Sequence, residues 1–292
     1  MRPSGGLAWR PAPPTPGEAP AWPPLLVAED LLERGVVAAF TGRAGGASTG
    51  PYQSLNLGLR VGDDLRHALS NRRRVATVLG LAGLPWAVAR QVHSARVLPV
   101  GRGSIGQGPP EGRPPVGEGD GLVTAEPGVV LAVLTADCAP VLLADPAARV
   151  VGAVHAGWRG LAAGVVEAAV AALAGLGGDP AATVGLVGPA VGGCCYEVGD
   201  DVRAAVGDRY PAALAATRDG RPSLDPAAAA AEALAGAGVA EVRVAGECTY
   251  HLAERFFSHR RDRGVTGRQA GLIALAPGAA RRGPGNPKGV PR

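Results

Sequence analysis

Cysteine is scarce in this sequence, with four residues among 292, and this scarcity argues against a disulfide framework. Cys194 and Cys195 are adjacent, and a bridge between neighbours needs an unusually strained geometry. Cys138 and Cys248 stand far from this pair and from each other along the chain. We therefore expect no structural disulfides, which fits a reducing compartment.

Long hydrophobic runs are also missing. The longest apolar stretches, such as 129–134 and the alanine-rich 225–237, are too short or too weakly apolar for the roughly 20 residues of a membrane span. The first 23 residues have neither a continuous apolar stretch nor a small-residue cleavage site after one, so they do not read as a secretory signal. We expect a cytoplasmic protein that does not bind membranes.

The chain carries a positive net charge, but outside its last dozen residues the basic residues are not concentrated on one segment. The formal net charge is +4, and four basic residues among the last dozen account for it. Nucleic-acid binding usually needs a clustered basic face, and the dense internal clusters are limited to 72–74 and 260–261. Nucleic acid is therefore not the expected partner.

Hydrophobic residues make up 47% of the chain, which is enough for one substantial core. Residues 1–23 and 277–292 are rich in proline, glycine and arginine, and they are predicted to be flexible tails. The folded body is predicted at 24–276 as a single catalytic domain. Its segment 101–119 has little to bury, which predicts a long surface loop inserted into that domain.

The body alternates short strand-like and helix-like patterns. Strands are predicted at 36–41, 87–92, 129–135, 149–154, 183–187 and 241–245. Helices are predicted at 65–80, 160–175, 225–237 and 249–259, the third with Asp225-Pro226 as cap and first-turn residue. Because the elements do not follow a strict βαβ rhythm, the pattern predicts an α+β fold, a layered sandwich of mixed sheets flanked by helices.

Two short motifs match known signatures only in their letters. GRGSIG at 101–106 fits the dinucleotide fingerprint, but the prolines at 109–115 exclude the helix that must follow it. GASTG at 46–50 fits the nucleophile elbow around Ser48, but that motif works only as a strand-to-helix turn, and no helix pattern follows. Both are better explained as glycine-rich turns.

Three metal-ligating residues stand at or just past the ends of predicted strands. His93 closes one run, Cys138 follows another by three residues, and His155 closes a third. Such residues can converge on one edge of a sheet, and two imidazoles with one thiolate suit zinc, with bonds of about 2.0 to 2.3 Å and a fourth position left for water. The alternative is a set of ordinary packed or hydrogen-bonded side chains.

The neighbours of these residues are compatible with more than one kind of reaction. Asp137 precedes Cys138, and Arg159 follows His155 within AGWRG, where it could bind phosphate or lie on the surface at the start of a helix. A second enzymatic hypothesis makes Cys138 a thiolate nucleophile, with His93 or His155 as its base.

Longer motifs carry a family resemblance. LTADCAPVLL at 134–143 and VHAGWRG at 154–160 are the most specific of them. Shorter segments accompany them in order: SLNLG at 54–58, VGDD at 61–64, NR at 71–72, QVH at 91–93, GPA at 188–190, CYEVG at 195–199, FFSHRRD at 256–262 and TGR at 266–268. Over about 36–275 the chain closely resembles the YfiH-like laccase-domain family.

The resemblance implies a zinc centre at His93, Cys138 and His155 on an α+β layered sandwich. It also implies phosphorolysis of adenosine, inosine and methylthioadenosine, with adenosine deamination as a companion activity. The family has also been described as a copper-dependent polyphenol oxidase and as a peptidoglycan editing factor. A copper enzyme of the true laccase type needs more histidines than the five present.

Purine nucleosides and phosphate are thus the expected partners, and several residues are candidates for handling them. Phosphate binding is predicted for Arg159, Arg260 and Arg268. Asn56 could bind a ribose hydroxyl or stabilise a turn. Asp137 or Glu197 could carry protons in deamination, or each could be a structural hydrogen-bonding group.

The chain departs from the family pattern at a few positions. Ser94 stands where a glycine commonly follows the first histidine, His251 lies at a variable position, and 101–119 looks like an insertion. Cys194, Cys195 and Cys248 could complete a closed structural metal shell, as a non-enzymatic protein would use, or be buried small apolar residues.

Overall fold

The computed structural model describes residues 6–10, 24–106 and 110–276, in which the chain forms fourteen strands and six α-helices. The strands are β1 Leu7–Arg10, β2 Leu25–Ala28, β3 Val36–Thr41, β4 Trp86–Val88, β5 Val97–Pro99, β6 Gly121–Thr124, β7 Val130–Thr135, β8 Ala139–Asp145, β9 Val150–Ala156, β10 Val184–Val187, β11 Leu214–Ala216, β12 Pro222–Leu224, β13 Glu241–Val244 and β14 Gln269–Leu275. The helices are α1 Glu29–Glu33, α2 Leu65–Val78, α3 Trp158–Ala162, α4 Val165–Gly175, α5 Asp200–Gly207 and α6 Pro226–Gly236.

Twelve of the strands form two six-stranded mixed sheets. Sheet 1 has the order β1-β2-β3-β14-β7-β4, and only the β7–β4 pair is parallel. Sheet 2 has the order β13-β10-β8-β9-β6-β5, with parallel pairs at both of its ends. The predicted α+β class with mixed sheets is confirmed.

Side-chain alternation along the strands builds the layers. Val36, Ala38 and Phe40 of β3 point into a core that they share with Leu142 and Leu186 of sheet 2, so the two sheets pack face to face. The opposite face of sheet 1 is covered by α2, and the opposite face of sheet 2 by α4 and α6. The order helix, sheet, sheet, helix is the predicted layered sandwich.

Local signals in the sequence account for the best-predicted elements. The strand predicted at 36–41 coincides with β3. The Asp225 carboxylate accepts hydrogen bonds from the amides of Ala227 and Ala228, and Pro226 occupies the first turn of α6, as predicted. The predicted 160–175 helix is instead two helices, α3 and α4, because Gly164 takes a left-handed φ of 81° between them.

The helix predicted at 249–259 is wrong, because the segment is a series of turns. The Arg261 guanidinium donates to the carbonyl oxygens of Thr249, Tyr250 and Phe256, at 2.8, 3.2 and 3.0 Å. An arginine side chain thus binds carbonyl groups that helical amides would otherwise bind.

The strand predicted at 87–92 is shorter than expected, because β4 ends at Val88. Beyond Val88, the Gln91 side chain makes the hydrogen bonds to β7 that the backbone of a longer β4 would make. Its amide donates to the carbonyl oxygen of Leu134 at 2.8 Å and accepts from the Leu134 amide at 2.9 Å. The chain is thereby free to turn away from sheet 1.

Two predictions of irregular structure also need correction. Leu7–Arg10, within the predicted tail 1–23, form β1 and pair with β2; residues 1–5, 11–23 and 277–292 lie outside the described residues. In the predicted surface loop 101–119, Ile105 and Glu111 are buried, and the Arg72 guanidinium binds the Glu111 carbonyl oxygen at 2.7 Å. The segment therefore packs against the folded body, with Glu111 on α2 and Ile105 in the core between the sheets, although 107–109 are not described.

The two rejected motifs behave as turns. Residues 102–104 form one 3-10 turn, and the described residues contain no α-helix between Val78 and Trp158. Ser48 is buried, and its hydroxyl donates to Asp63 at 2.6 Å and accepts from Asn71 at 2.9 Å, so it is not an exposed nucleophile. Over the described ranges, no helix combines the length and apolarity that crossing a bilayer requires.

Candidate metal centre and cavity

The site forms where the chain crosses between the sheets. The connection from β4 to β5 leaves sheet 1 for sheet 2 and carries His93, and the turn from β7 to β8 makes the same crossing and carries Cys138. His155 lies near the end of β9, which pairs with β8 so that Pro140 faces it. Side chains from three distant segments therefore meet at one edge of the sandwich.

The three side chains form a compact group of metal-binding atoms. One ligand atom from each of His93, Cys138 and His155 lies within 4.8 Å of the others, and the Cys138 Sγ is 3.9 Å from the His93 Nε2. The imidazole rings are nearly perpendicular, with centroids 4.9 Å apart. His155 is buried, Cys138 is half-buried and His93 is exposed, so the group opens on one side to solvent.

Asp120 holds two of these residues in place. Its carboxylate accepts a hydrogen bond from the His155 Nδ1 at 2.9 Å, which leaves the His155 Nε2 for a metal ion. It also accepts the successive amides of Val92, His93 and Ser94, at 3.2, 3.0 and 2.6 Å, and the Ser94 hydroxyl at 2.9 Å. One buried carboxylate therefore orients a histidine ring and shapes the loop that carries the other histidine.

Backbone conformation at the site is unusual at two residues. His93 has a φ of 60° and Asp137 a φ of 93°, values that side-chain-bearing residues rarely adopt. The backbone conformation of His93 is stabilised by the three amides that donate to Asp120. The backbone conformation of Asp137 is stabilised through its own carboxylate, which accepts hydrogen bonds from the Thr249 hydroxyl and the Arg260 amide, both at 2.7 Å. These contacts direct His93 and Cys138 towards each other.

Electrostatics favour the ionised forms of the thiol and the carboxylate. Burial by itself raises the pKa of Cys138, but the charge and hydrogen bonds of His155 and the hydrogen bond of His93 outweigh it and lower this pKa to about 6. Burial likewise opposes ionisation of Asp120, yet hydrogen bonds from His155 and Ser94 hold its pKa well below the usual range. The same interactions raise the pKa of His155 to about 9. Once a metal ion displaces that proton, one thiolate and two neutral imidazoles are a suitable donor set for a borderline-soft ion.

Gly157 provides the space in which the donors converge. A Cβ at this position would lie 2.8 Å from the His93 Cδ2 and 3.0 Å from the Cys138 Sγ. A larger residue would have to push at least one of these side chains away. The donor set, its spacing and this glycine together fit a bound metal ion.

The donor group lies in the wall of a cavity of about 800 Å³. Trp158 and Tyr196 contribute aromatic surface to its lining, and Val88 and Leu134 contribute aliphatic surface. Seven arginines also line it: Arg60, Arg72, Arg90, Arg113, Arg159, Arg260 and Arg268. Asp137 supplies the one carboxylate of the described lining, so the cavity is strongly electropositive and suits an anionic ligand.

The predicted phosphate-binding arginines all reach this cavity. Arg159 is exposed, and its guanidinium lies 4.2 Å from the centre of the Trp158 ring. Arg260 lies 4.9 Å from the centre of the Tyr196 ring and donates to the carbonyl oxygen of Glu197 at 3.1 Å. Arg268 is half-buried, with its guanidinium anchored on the carbonyl oxygens of 266 and 267.

The predicted contact of Asn56 with a ribose does not agree with the geometry. Asn56 is fully buried and outside the cavity lining. Its side-chain nitrogen donates to the Gly58 carbonyl oxygen and to Asp63, and its oxygen accepts the amides of Gly58 and Arg268. Asn56 is therefore the turn-stabilising residue of the alternative interpretation, and it positions Arg268.

The two candidate proton carriers are placed differently. Asp137 lines the cavity beside Cys138. Glu197 does not line it, and its exposed carboxylate pairs with Arg221 at 3.0 Å.

Sequence reasoning missed Asp120, Tyr196 and the cavity-lining part of 112–115. Asp120 offered only a weak signal, an acidic residue between two glycines directly before a strand. Nothing local to it shows that its partners are 26 to 35 residues away in sequence.

Known proteins resemble this chain over most of its length. Purine nucleoside phosphorylase SCO2081 of Streptomyces coelicolor is 48% identical over 236 residues, which cover 81% of this chain and 94% of that protein. A purine nucleoside phosphorylase of Deinococcus radiodurans is 43% identical over 252 residues, covering 86% and 93%. The crystal structure of YlmD from Geobacillus stearothermophilus superposes with a TM-score of 0.78 at 36% identity, covering 86% of this chain and 96% of YlmD.

A family model provides independent support for this relationship. The model described as multi-copper polyphenol oxidoreductase laccase matches residues 37–276, which include every strand from β4 to β14 and all of the cavity. Together with relatives named YfiH, this match shows that the chain belongs to the YfiH-like laccase-domain family.

Proposed function

We propose that this protein is a zinc-dependent purine nucleoside phosphorylase that acts on adenosine, inosine and methylthioadenosine, with adenosine deamination as a side activity. The observation that carries the proposal is the juxtaposition of a His-Cys-His donor group with an arginine-rich cavity. The names of the relatives supply the reaction class. The volume of about 800 Å³ lies within the range of small-molecule sites.

Zinc suits the donors better than a multi-copper arrangement does. Two imidazoles and one thiolate form a three-ligand zinc set with one position open. A multi-copper laccase site needs many more histidines than the five in this chain. When bound, zinc would supply Lewis acidity at the cavity wall.

In phosphorolysis a phosphate oxygen forms a bond to the anomeric carbon of ribose as the bond from that carbon to the purine nitrogen breaks. The electron pair of the broken bond goes to the purine, which takes up a proton. Guanidinium groups bind phosphate through paired hydrogen bonds. We assign this binding to the exposed residues Arg159 and Arg260, with Arg268 as a third contact.

The aromatic lining and Asp137 complete the assignment. Trp158 and Tyr196 add aromatic surface to the cavity wall, against which the purine can pack. Asp137 is the carboxylate in position to move a proton during deamination, and it also holds the Arg260 backbone. Glu197 is a poorer candidate because its side chain faces Arg221 outside the cavity.

Product analysis tests the reaction directly. The zinc-loaded protein is incubated with adenosine, inosine or methylthioadenosine, with and without phosphate, and the products are identified by mass spectrometry. We expect the free purine base and a pentose 1-phosphate only when phosphate is present, and some inosine from adenosine in either case. Absence of turnover of all three nucleosides would rule out the proposal.

Arg159→Ala tests the assigned phosphate site. Losing a hydrogen-bonded charge of this kind costs about 1.5 to 3 kcal/mol, so the KM for phosphate should rise roughly ten- to a hundredfold while metal content stays unchanged. Arg221→Ala is the matched control, because Arg221 is also exposed but pairs with Glu197 away from the cavity. Loss of metal in Arg159→Ala would instead assign this arginine a structural role.

A further inference from the structure

A second group of metal-binding side chains lies outside the cavity lining. Cys194 and Cys195 are in the loop between β10 and α5, and Cys248 and His251 are in the long loop between β13 and β14. One ligand atom from each of the four lies within 4.8 Å of the others. None of the four lines the cavity, so the group is distinct from the His93-Cys138-His155 triad.

We propose that Cys194, Cys195, Cys248 and His251 form a closed, structural zinc site. Three thiolates and one imidazole are among the donor sets that structural zinc uses, and they fill all four tetrahedral positions. Soft sulfur donors favour zinc over hard cations such as magnesium and calcium. The triad in the cavity has three donors and an open position, so the two groups are suited to different tasks.

The distances are those of donors gathered around one point. The His251 Nδ1 is 3.4 Å from the Cys194 Sγ and 3.2 Å from the Cys195 Sγ. Zinc bonds of about 2.3 Å to sulfur and about 2.0 to 2.1 Å to nitrogen, at tetrahedral angles, separate such atoms by roughly 3.6 Å. These two separations therefore need shifts of only a few tenths of an ångström, and every other pair of donor atoms in the group lies within 4.8 Å.

The backbone is arranged to hold the sulfurs together. Ala190 bridges Cys248 in parallel register, and the Thr249 amide donates to the Ala190 carbonyl oxygen at 2.9 Å. The Gly192 amide donates to the Cys248 Sγ at 3.2 Å, which fixes the position of that sulfur. A Cβ on Gly192 would lie 3.2 Å from the Cys194 Sγ, so the absence of a side chain leaves room for the cluster.

The proposed site would link the β10–α5 loop to the β13–β14 loop beside the cavity. Cys195 adjoins Tyr196, which lines the cavity, and Cys248 adjoins Thr249, whose hydroxyl binds Asp137. Joining the two loops through zinc would hold these residues without touching a substrate. The role is one of positioning and stability, and it does not depend on the reaction proposed above.

Metal stoichiometry in the full-length chain tests this site separately from the triad. The Cys138→Ser chain, purified with zinc under anaerobic reducing conditions, should retain one zinc per chain by mass spectrometry. Adding Cys248→Ser or His251→Asn should reduce this value severalfold or more, and adding His67→Asn as the histidine control should not. Cobalt substituted into the Cys138→Ser chain should show the thiolate-to-cobalt charge transfer of a tetrahedral sulfur site.

Thiol accessibility gives an answer even if a double variant fails to fold. In the zinc-loaded Cys138→Ser chain, the three remaining thiols should resist alkylation and become reactive after chelation. The proposal is overturned if this chain holds no zinc, if its thiols react equally with and without zinc, or if two of them are found joined in a disulfide in the reduced preparation.

Discussion

Cys138→Ser is expected to remove one metal ion per chain and to reduce phosphorolysis to background. A neutral serine hydroxyl replaces the one anionic donor of the triad, and the two remaining imidazoles hold zinc weakly. Removing an outer partner of a metal ligand already costs about ten- to a hundredfold in affinity, so loss of this ligand should cost more than roughly a hundredfold. Metal analysis and the phosphorolysis assay, run on the same preparation, measure both effects.

Two controls separate this effect from general damage. His67→Ala changes a half-buried histidine of α2 that belongs to neither donor group, and it should leave metal content and activity unchanged. Chelation should inactivate the wild-type protein reversibly, with activity returning when zinc is added, whereas zinc should not restore the Cys138→Ser variant.

Other outcomes would point to other chemistry. If Cys138→Ser loses activity but keeps its full metal content, Cys138 is not required to bind the metal, and it acts as a nucleophile with a histidine base, as in the Cys-His hydrolase hypothesis. If it loses metal but retains phosphorolysis, the triad is structural and the reaction takes place elsewhere in the cavity.

Asp120→Asn is expected to lower zinc affinity about ten- to a hundredfold and to destabilise the fold by about 3 kcal/mol. Asp120 is buried, and five donors converge on its two carboxylate oxygens. An asparagine has one oxygen and one NH₂ group, so in either orientation at least two of those donors face a nitrogen that cannot accept them. Zinc titration with a competing chelator and denaturant unfolding measure the two quantities.

Asp145→Asn is the matched control for this substitution. Asp145 is likewise buried, and it accepts the amides of Ala147, Ala148 and Asp179. It ends β8, whereas Cys138 directly precedes that strand, so six residues, or roughly 20 Å, separate it from Cys138. It should lose stability without losing zinc affinity. Equal losses of affinity in both variants would show that Asp120 acts only through the stability of the fold.

Short-range patterns predicted much of the framework. The β-type run at 36–41 became β3 because a strand between other strands is buried on both faces. The Asp-Pro pair at 225–226 starts α6 through contacts within three residues of the cap. Predictions of this kind succeed because the responsible interactions are local.

Hydrogen bonds from side chains to the backbone explain the elements that were missed. The pattern at 249–259 favoured a helix, but the Arg261 side chain binds three of its carbonyl groups. The predicted strand at 87–92 stops early because Gln91 binds a backbone 43 residues away. In both cases a side chain provides the hydrogen bonds that regular secondary structure would have supplied.

The sequence by itself determined the α+β class, the His93, Cys138 and His155 donors at strand ends, and the candidate phosphate arginines. These follow from periodicity, residue chemistry and motifs that are read along the chain. Only the tertiary structure decided that Asp120 orients two segments of the site, that Asn56 positions Arg268 instead of reaching the cavity, and that three cysteines meet His251. The reason is that hydrogen bonds and metal donor sets depend on distances of a few ångströms between residues far apart in sequence, and the packing of the two sheets sets those distances.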